Sequence, residues 1–89
     1  MEIWQYIIYN VIIELMEVIK IEYWERLRII REKREYKQKE IAEYLGTTQQ
    51  YYSDYENGKR DIPIRIYIKL ADFYNVTIDY LAGRSDKQR

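Results

Sequence analysis

Residues 38–59, QKEIAEYLGTTQQYYSDYENGK, constrain the fold of this chain more than any other stretch. Ile41, Ala42 and Leu45 recur at helical spacing as one inward face. Gly46 follows them, a residue able to take the positive φ that ends a helix. Thr48 is a good N-cap for what comes next, because its hydroxyl can accept from the next free backbone N–H groups. The pattern predicts a second helix from Gln49 to about Glu56, with Tyr52 and Tyr55 pointing inward. Gln49, Gln50, Tyr51, Ser53 and Asp54 are then left outward or partly so. Asn57-Gly58 is a turn signal. The run therefore reads as two short helices joined by a Gly-centred turn, with two adjacent glutamines opening the second.

The flanks extend an all-α reading. From Glu22 to about Glu35 the pattern is helical, with Leu27 and Ile30 three apart and basic residues over much of the rest. Pro63 stands at the start of another helix, where its missing N–H does no harm. Ile64, Tyr67, Ile68, Ala71 and Tyr74 form its expected core stripe, and Asn75 closes it. Thr77 caps a last short helix, Ile78 to Ala82, which Gly83 stops. Residues 84–89 are a polar tail expected to fray.

Residues 1–21, MEIWQYIIYNVIIELMEVIKI, are of a different kind. Asn10, Glu14, Glu17 and Lys20 recur at spacings of four, three and three, one narrow polar stripe on an otherwise apolar helix. The part before Asn10 is β-branched and aromatic and fits a strand as well. A helix apolar on most sides must be covered by something. Packing on its own domain, dimerisation and membrane contact all remain open. Glu14 and Glu17 weigh against a span, which needs ~20 apolar residues, and no basic start precedes the run as in a signal peptide.

The chain has no cysteine and no histidine. The commonest zinc ligands and the commonest general base are thus missing, which argues against a metal site, a cofactor-dependent centre or an enzyme. A small cysteine-free chain fits a cytoplasmic location. Tyrosine occurs eleven times beside abundant isoleucine and lysine, a bias that an AT-rich genome explains without function. The formal net charge is zero, but residues 1–25 sum to −4 and residues 26–89 to +4. Seven bases stand between Arg26 and Lys39, either as a solvated helix face with i, i+4 pairs or as a surface for phosphates.

A helix opened by two glutamines is what a rod needs to enter a DNA major groove and show amides to base edges. RLRIIRE, QKEIAEYLGTTQQ, YENGKR and IKLADFYNVTIDYLAG occur in this order, and residues 26–83 that carry them resemble the Cro/C1-type (Xre-like) helix-turn-helix family of the lambdoid repressors. The resemblance implies a compact five-helix domain, placed here at residues 22–83, with residues 1–21 as an additional apolar helix. It also implies binding of double-stranded DNA as a homodimer, with no small-molecule ligand.

Carried over residue by residue, the resemblance makes Gln49 and Gln50 base-reading, since a glutamine amide pairs bidentately with adenine N6 and N7. Tyr51 would touch a thymine methyl or the backbone. Asp54 departs from the usual choices; it either accepts from cytosine N4 or holds a neighbouring base-contact residue in place. Gln38 matches a phosphate contact at a helix N-terminus. Thr48, Ser53, Asn57, Lys59 and Arg60 are placed on the DNA backbone, where contacts position the protein without reading sequence. Arg31 and Glu56 match a structural ion pair. Lys37 replaces the usual Ser or Thr N-cap, Glu35 a common helix-ending glycine, and Thr47 and Tyr52 aliphatic core residues.

The expected function is therefore a sequence-specific, repressor-like regulator acting as a dimer on a palindromic operator. The alternative is a protein-interaction module of antitoxin or antirepressor-binding type that uses the apolar N-terminus.

Overall fold

A computed structural model describes residues 3–18 and 21–89, with side chains described for residues 3–12 and 21–89. Six helices follow one another: α1 (Ile3–Val18), α2 (Glu25–Lys33), α3 (Gln38–Leu45), α4 (Gln49–Glu56), α5 (Ile64–Tyr74) and α6 (Ile78–Leu81). The segment before Asn10 is helical, so the strand alternative does not form. Of the expected polar stripe, Asn10 turns its amide back to the carbonyl of Tyr6 at 2.8 Å. The side chains of Glu14 and Glu17, and Lys20 altogether, lie outside the described residues.

Local chemistry sets the helix ends. Gly46 ends α3 at φ 74°, and the Thr47 N–H reaches back to the Ala42 carbonyl. Thr48 and Thr77 each accept a backbone N–H three residues on, from Tyr51 at 3.1 Å and Tyr80 at 3.0 Å. These are the side-chain caps expected for α4 and α6. Lys37 has no acceptor to offer α3. Glu40 compensates from the other direction, its carboxylate accepting the Lys37 N–H at 2.8 Å. Glu35 takes the position expected of a glycine at φ 61°, with the Tyr36 N–H bonded to the Arg31 carbonyl across the turn. A side chain there is strained, because its Cβ crowds the backbone.

The core is shared by α2 to α6. Leu27 and Ile30 from α2 meet Ile41 and Leu45 from α3, Tyr52 and Tyr55 from α4, and Leu70, Tyr74 and Leu81 from the last two helices. Five of the eleven tyrosines are buried in it (Tyr52, Tyr55, Tyr67, Tyr74 and Tyr80), so this composition bias supplies core volume.

Two expectations are corrected. On α5 the buried stripe is Ile66, Tyr67, Leu70, Ala71 and Tyr74, whereas Ile64 and Ile68 are 63% and 46% exposed. Tyr67, Ala71 and Tyr74 are buried as expected, but α5 carries apolar residues on more than one face, and periodicity alone does not choose Ile66 and Leu70 over Ile64 and Ile68. The tail after Gly83 is also docked rather than frayed. Thr77 N–H donates to the Gln88 carbonyl at 2.8 Å, and Arg26 pairs with Asp86 at 3.0 Å.

Candidate nucleic-acid interface

The candidate interface centres on α4, which Thr48 caps at an exposed end. Gln49, Gln50 and Tyr51 follow the cap directly and are exposed, while Tyr52 and Tyr55 on the opposite side anchor the helix in the core. The two glutamines thus form an outward tip on a helix whose depth is fixed from behind.

Gln50 and Asp54 lie one turn apart and are joined: Gln50 Nε2 donates to Asp54 Oδ1 at 3.0 Å. Asp54 Oδ2 faces Arg60 Nη2 at 3.9 Å, and the Arg60 guanidinium stacks 3.8 Å above the Tyr51 ring. Arg60 is therefore drawn back from the loop onto the flank of α4, beside the residues expected to read bases. Sequence reasoning placed it only on the DNA backbone. The stacking joins positions nine apart across a turn, and no periodicity announces that.

The loop after α4 is held by backbone and side-chain bonds. Lys59 N–H donates to the Asp54 carbonyl at 2.9 Å, and Asn57 Nδ2 donates to the Ser53 carbonyl at 3.0 Å and to Ser53 Oγ at 3.2 Å. Asn57, Lys59 and Arg60 remain exposed, and Ser53 is half-buried. Trp24, which the sequence did not single out, packs against this loop. A Cβ on Gly58, whose φ is +71°, would lie 2.5 Å from its ring.

Gln38 sits at the start of α3, but its Nε2 donates inward to Glu56 Oε1 at 3.1 Å. One amide N–H is left for any phosphate. The bond ties the N-terminus of α3 to the end of α4, and Lys37 and Lys39 on either side of Gln38 are exposed. Glu56 is buried and also holds Arg31, whose Nε and Nη2 reach its two carboxylate oxygens at 2.7 and 3.0 Å. Burial pushes the Glu56 carboxyl up. The Arg31 bonds, the facing Tyr52 hydroxyl and the Gln38 amide outweigh it, so the group titrates below the usual carboxylate range. By strict geometry the Tyr52 hydroxyl stops short of a full hydrogen bond.

The basic run between Arg26 and Lys39 divides. Arg26, Arg31 and Arg34 are turned to partners within the protein: Asp86, Glu56 and the Tyr74 carbonyl. Arg28 lies 3.6 Å from Glu32 along its own helix. Arg26, Arg31 and Arg34 therefore serve the scaffold, while Arg28 stays on the solvated face of α2.

Among the described residues, no group of three metal-ligating side chains is placed to hold an ion, and no helix is long and apolar enough to cross a membrane.

A helix-turn-helix family model matches residues 27–81. The HTH-type transcriptional regulator ImmR of Bacillus subtilis is 41% identical over 61 residues, covering 68% of this chain and 48% of that protein. The SPbeta prophage-derived uncharacterized HTH-type transcriptional regulator YonR of the same organism is 36% identical over 59 residues, 66% of this chain and 55% of its own. The HTH-type transcriptional regulator AnsR is 34% identical over 65 residues, 73% and 55%. The chain spans about half the length of the curated relatives it matches. No solved structure matches.

Proposed function

Since the chain belongs to the Cro/C1-type helix-turn-helix family, we propose that it is a sequence-specific DNA-binding transcriptional regulator, repressor-like, working as a dimer on a palindromic operator. The observation that carries this reading is the exposed Gln49-Gln50 pair at the capped tip of α4. Inserted in a major groove, the pair presents amides to adenine edges. Asn57 and Lys59 follow in the loop after α4, where the groove wall brings phosphates, and Arg60 lies back along the flank of α4. Two copies would place their α4 helices in successive major grooves about 34–36 Å apart and act by occupancy. Fluorescence anisotropy with palindromic duplexes selected from a random pool, against random duplexes, tests it. Equal affinity for both across salt concentrations defeats the claim of specificity.

One observation favours a second function beside the first. Every residue from Ile3 to Ile12 is exposed, with Trp4, Tyr6 and Tyr9 65–71% so. An apolar surface of this kind marks a protein contact. It serves either the second copy that the operator needs or a different protein, as in an antitoxin-like module. Deleting residues 1–21 separates the two. Joint loss of dimer and operator binding assigns α1 to the dimer; retained operator binding with loss of a protein partner assigns it to recruitment.

A further inference from the structure

Asp54 has no evident reason to stand on a surface that approaches a polyanion. Its contacts supply one. A carboxylate only accepts hydrogen bonds, so the atom of Gln50 that lies 3.0 Å from Asp54 Oδ1 must be the amide nitrogen. The chemistry fixes the amide orientation: reversing it would set Oε1 against the carboxylate, oxygen to oxygen. Asp54 is itself held. Its side chain is 19% exposed, and Arg60 approaches its other oxygen while stacking on Tyr51. The guanidinium also offsets a charge that phosphates would otherwise repel.

We propose that Asp54 is a positioning residue that restricts Gln50 to adenine. This rests on the DNA-reading function proposed above. A glutamine amide has two N–H donors and one acceptor oxygen. With one N–H bound by Asp54, Gln50 shows the DNA one donor beside one acceptor. Adenine offers the complement, N7 accepting and N6–H donating. Guanine offers two acceptors, N7 and O6, and meets them best with both amide N–H groups or with a cation. Asp54 withdraws one of those N–H groups. Gln49 is equally exposed and carries no such restraint among the described contacts, so the two neighbouring glutamines differ in stringency.

The test is selection of bound duplexes from a random pool by the full chain and by the variants D54N, Q50A and Q50A/D54N, followed by titration on single-base operator changes. An asparagine at position 54 can donate or accept, so it frees the Gln50 amide to turn over. The expected result is a fall of about tenfold in the preference for adenine over guanine at one position per half-site, within the range of one bidentate pair. Preferences elsewhere stay fixed. In the Q50A background D54N should change nothing at that position. A purely structural Asp54 would instead weaken all sequences together, and that result overturns the inference. So does a D54N variant whose base preferences match those of the parent at every position. Enrichment of no motif by the parent chain would instead mark failure of the DNA-reading function itself, a separate outcome.

Discussion

Arg31 and Glu56 form a two-pronged ion pair between α2 and the end of α4, with Arg31 Nε and Nη2 on the two carboxylate oxygens at 2.7 and 3.0 Å. Their side chains are 11% and 0% exposed. The same arginine donates to the Tyr36 carbonyl at 2.9 Å, and Gln38 completes the shell around Glu56. One buried carboxylate thus fixes the angle between α3 and α4, and with it the direction in which the glutamine tip points.

Removing one partner leaves the other charge buried and alone. Arg31→Ala or Glu56→Ala should each destabilise the domain by about 3–5 kcal/mol, a large share of the ~5–15 kcal/mol typical of a domain. The double variant R31M/E56L should recover much of the loss, because the apolar pair brings no desolvation cost. Urea melts followed by circular dichroism give all three values.

The pair also makes stability depend on pH. The folded carboxyl of Glu56 titrates below its value of 4.5 in an unfolded chain. Its contribution is therefore complete above that value and is lost as pH falls from there through the lower folded one. Urea melts on the acid side of neutrality should show the parent chain losing stability from near pH 4.5 downward. Glu56→Gln should start lower at neutral pH and lose less over the same window. Parallel pH curves for the two proteins would refute the assignment.

Gly58 is needed for two reasons that act together: a positive φ and a Trp24 ring where a Cβ would stand, 2.5 Å away. Gly58→Ala should cost about 1–3 kcal/mol, the scale of a residue held in an unfavourable backbone region. It should also shift Trp24 emission as the ring moves off the loop. Trp24→Phe in the same background should relieve part of the cost.

Lys59 is exposed in the loop after α4. If it meets a phosphate, Lys59→Ala should weaken binding to operator and random duplexes alike and lower the slope of log affinity against log salt by about one. A change in base preference without a change in slope would place Lys59 at a base edge instead.

Much of this molecule is legible in its residues. Gly46, Thr48 and Thr77 set helix boundaries through chemistry that acts over three or four positions, so reading them needs no tertiary information. The outward glutamine tip follows from the same local logic, since Tyr52 and Tyr55 fix which side of α4 is inside. Arg31 with Glu56 was reached only through the family resemblance.

Other features depend on which surfaces meet. The buried face of α5 runs through Ile66 and Leu70 instead of Ile64 and Ile68 because the helix has more apolar residues than one side can hold. Only packing against the rest of the core chooses among them. Arg60 over Tyr51 and Trp24 against Gly58 join residues through space, one across a turn and one across the domain, whereas Asp54 on Gln50 is a one-turn contact along α4. The sequence determined the helices, their caps and the face that α4 turns outward, because these are short-range matters of backbone geometry and periodicity. Only the tertiary structure decided which arginines are spent on the scaffold, which tail residues dock and where the Gln38 amide points. Those outcomes depend on distances between segments far apart in the chain.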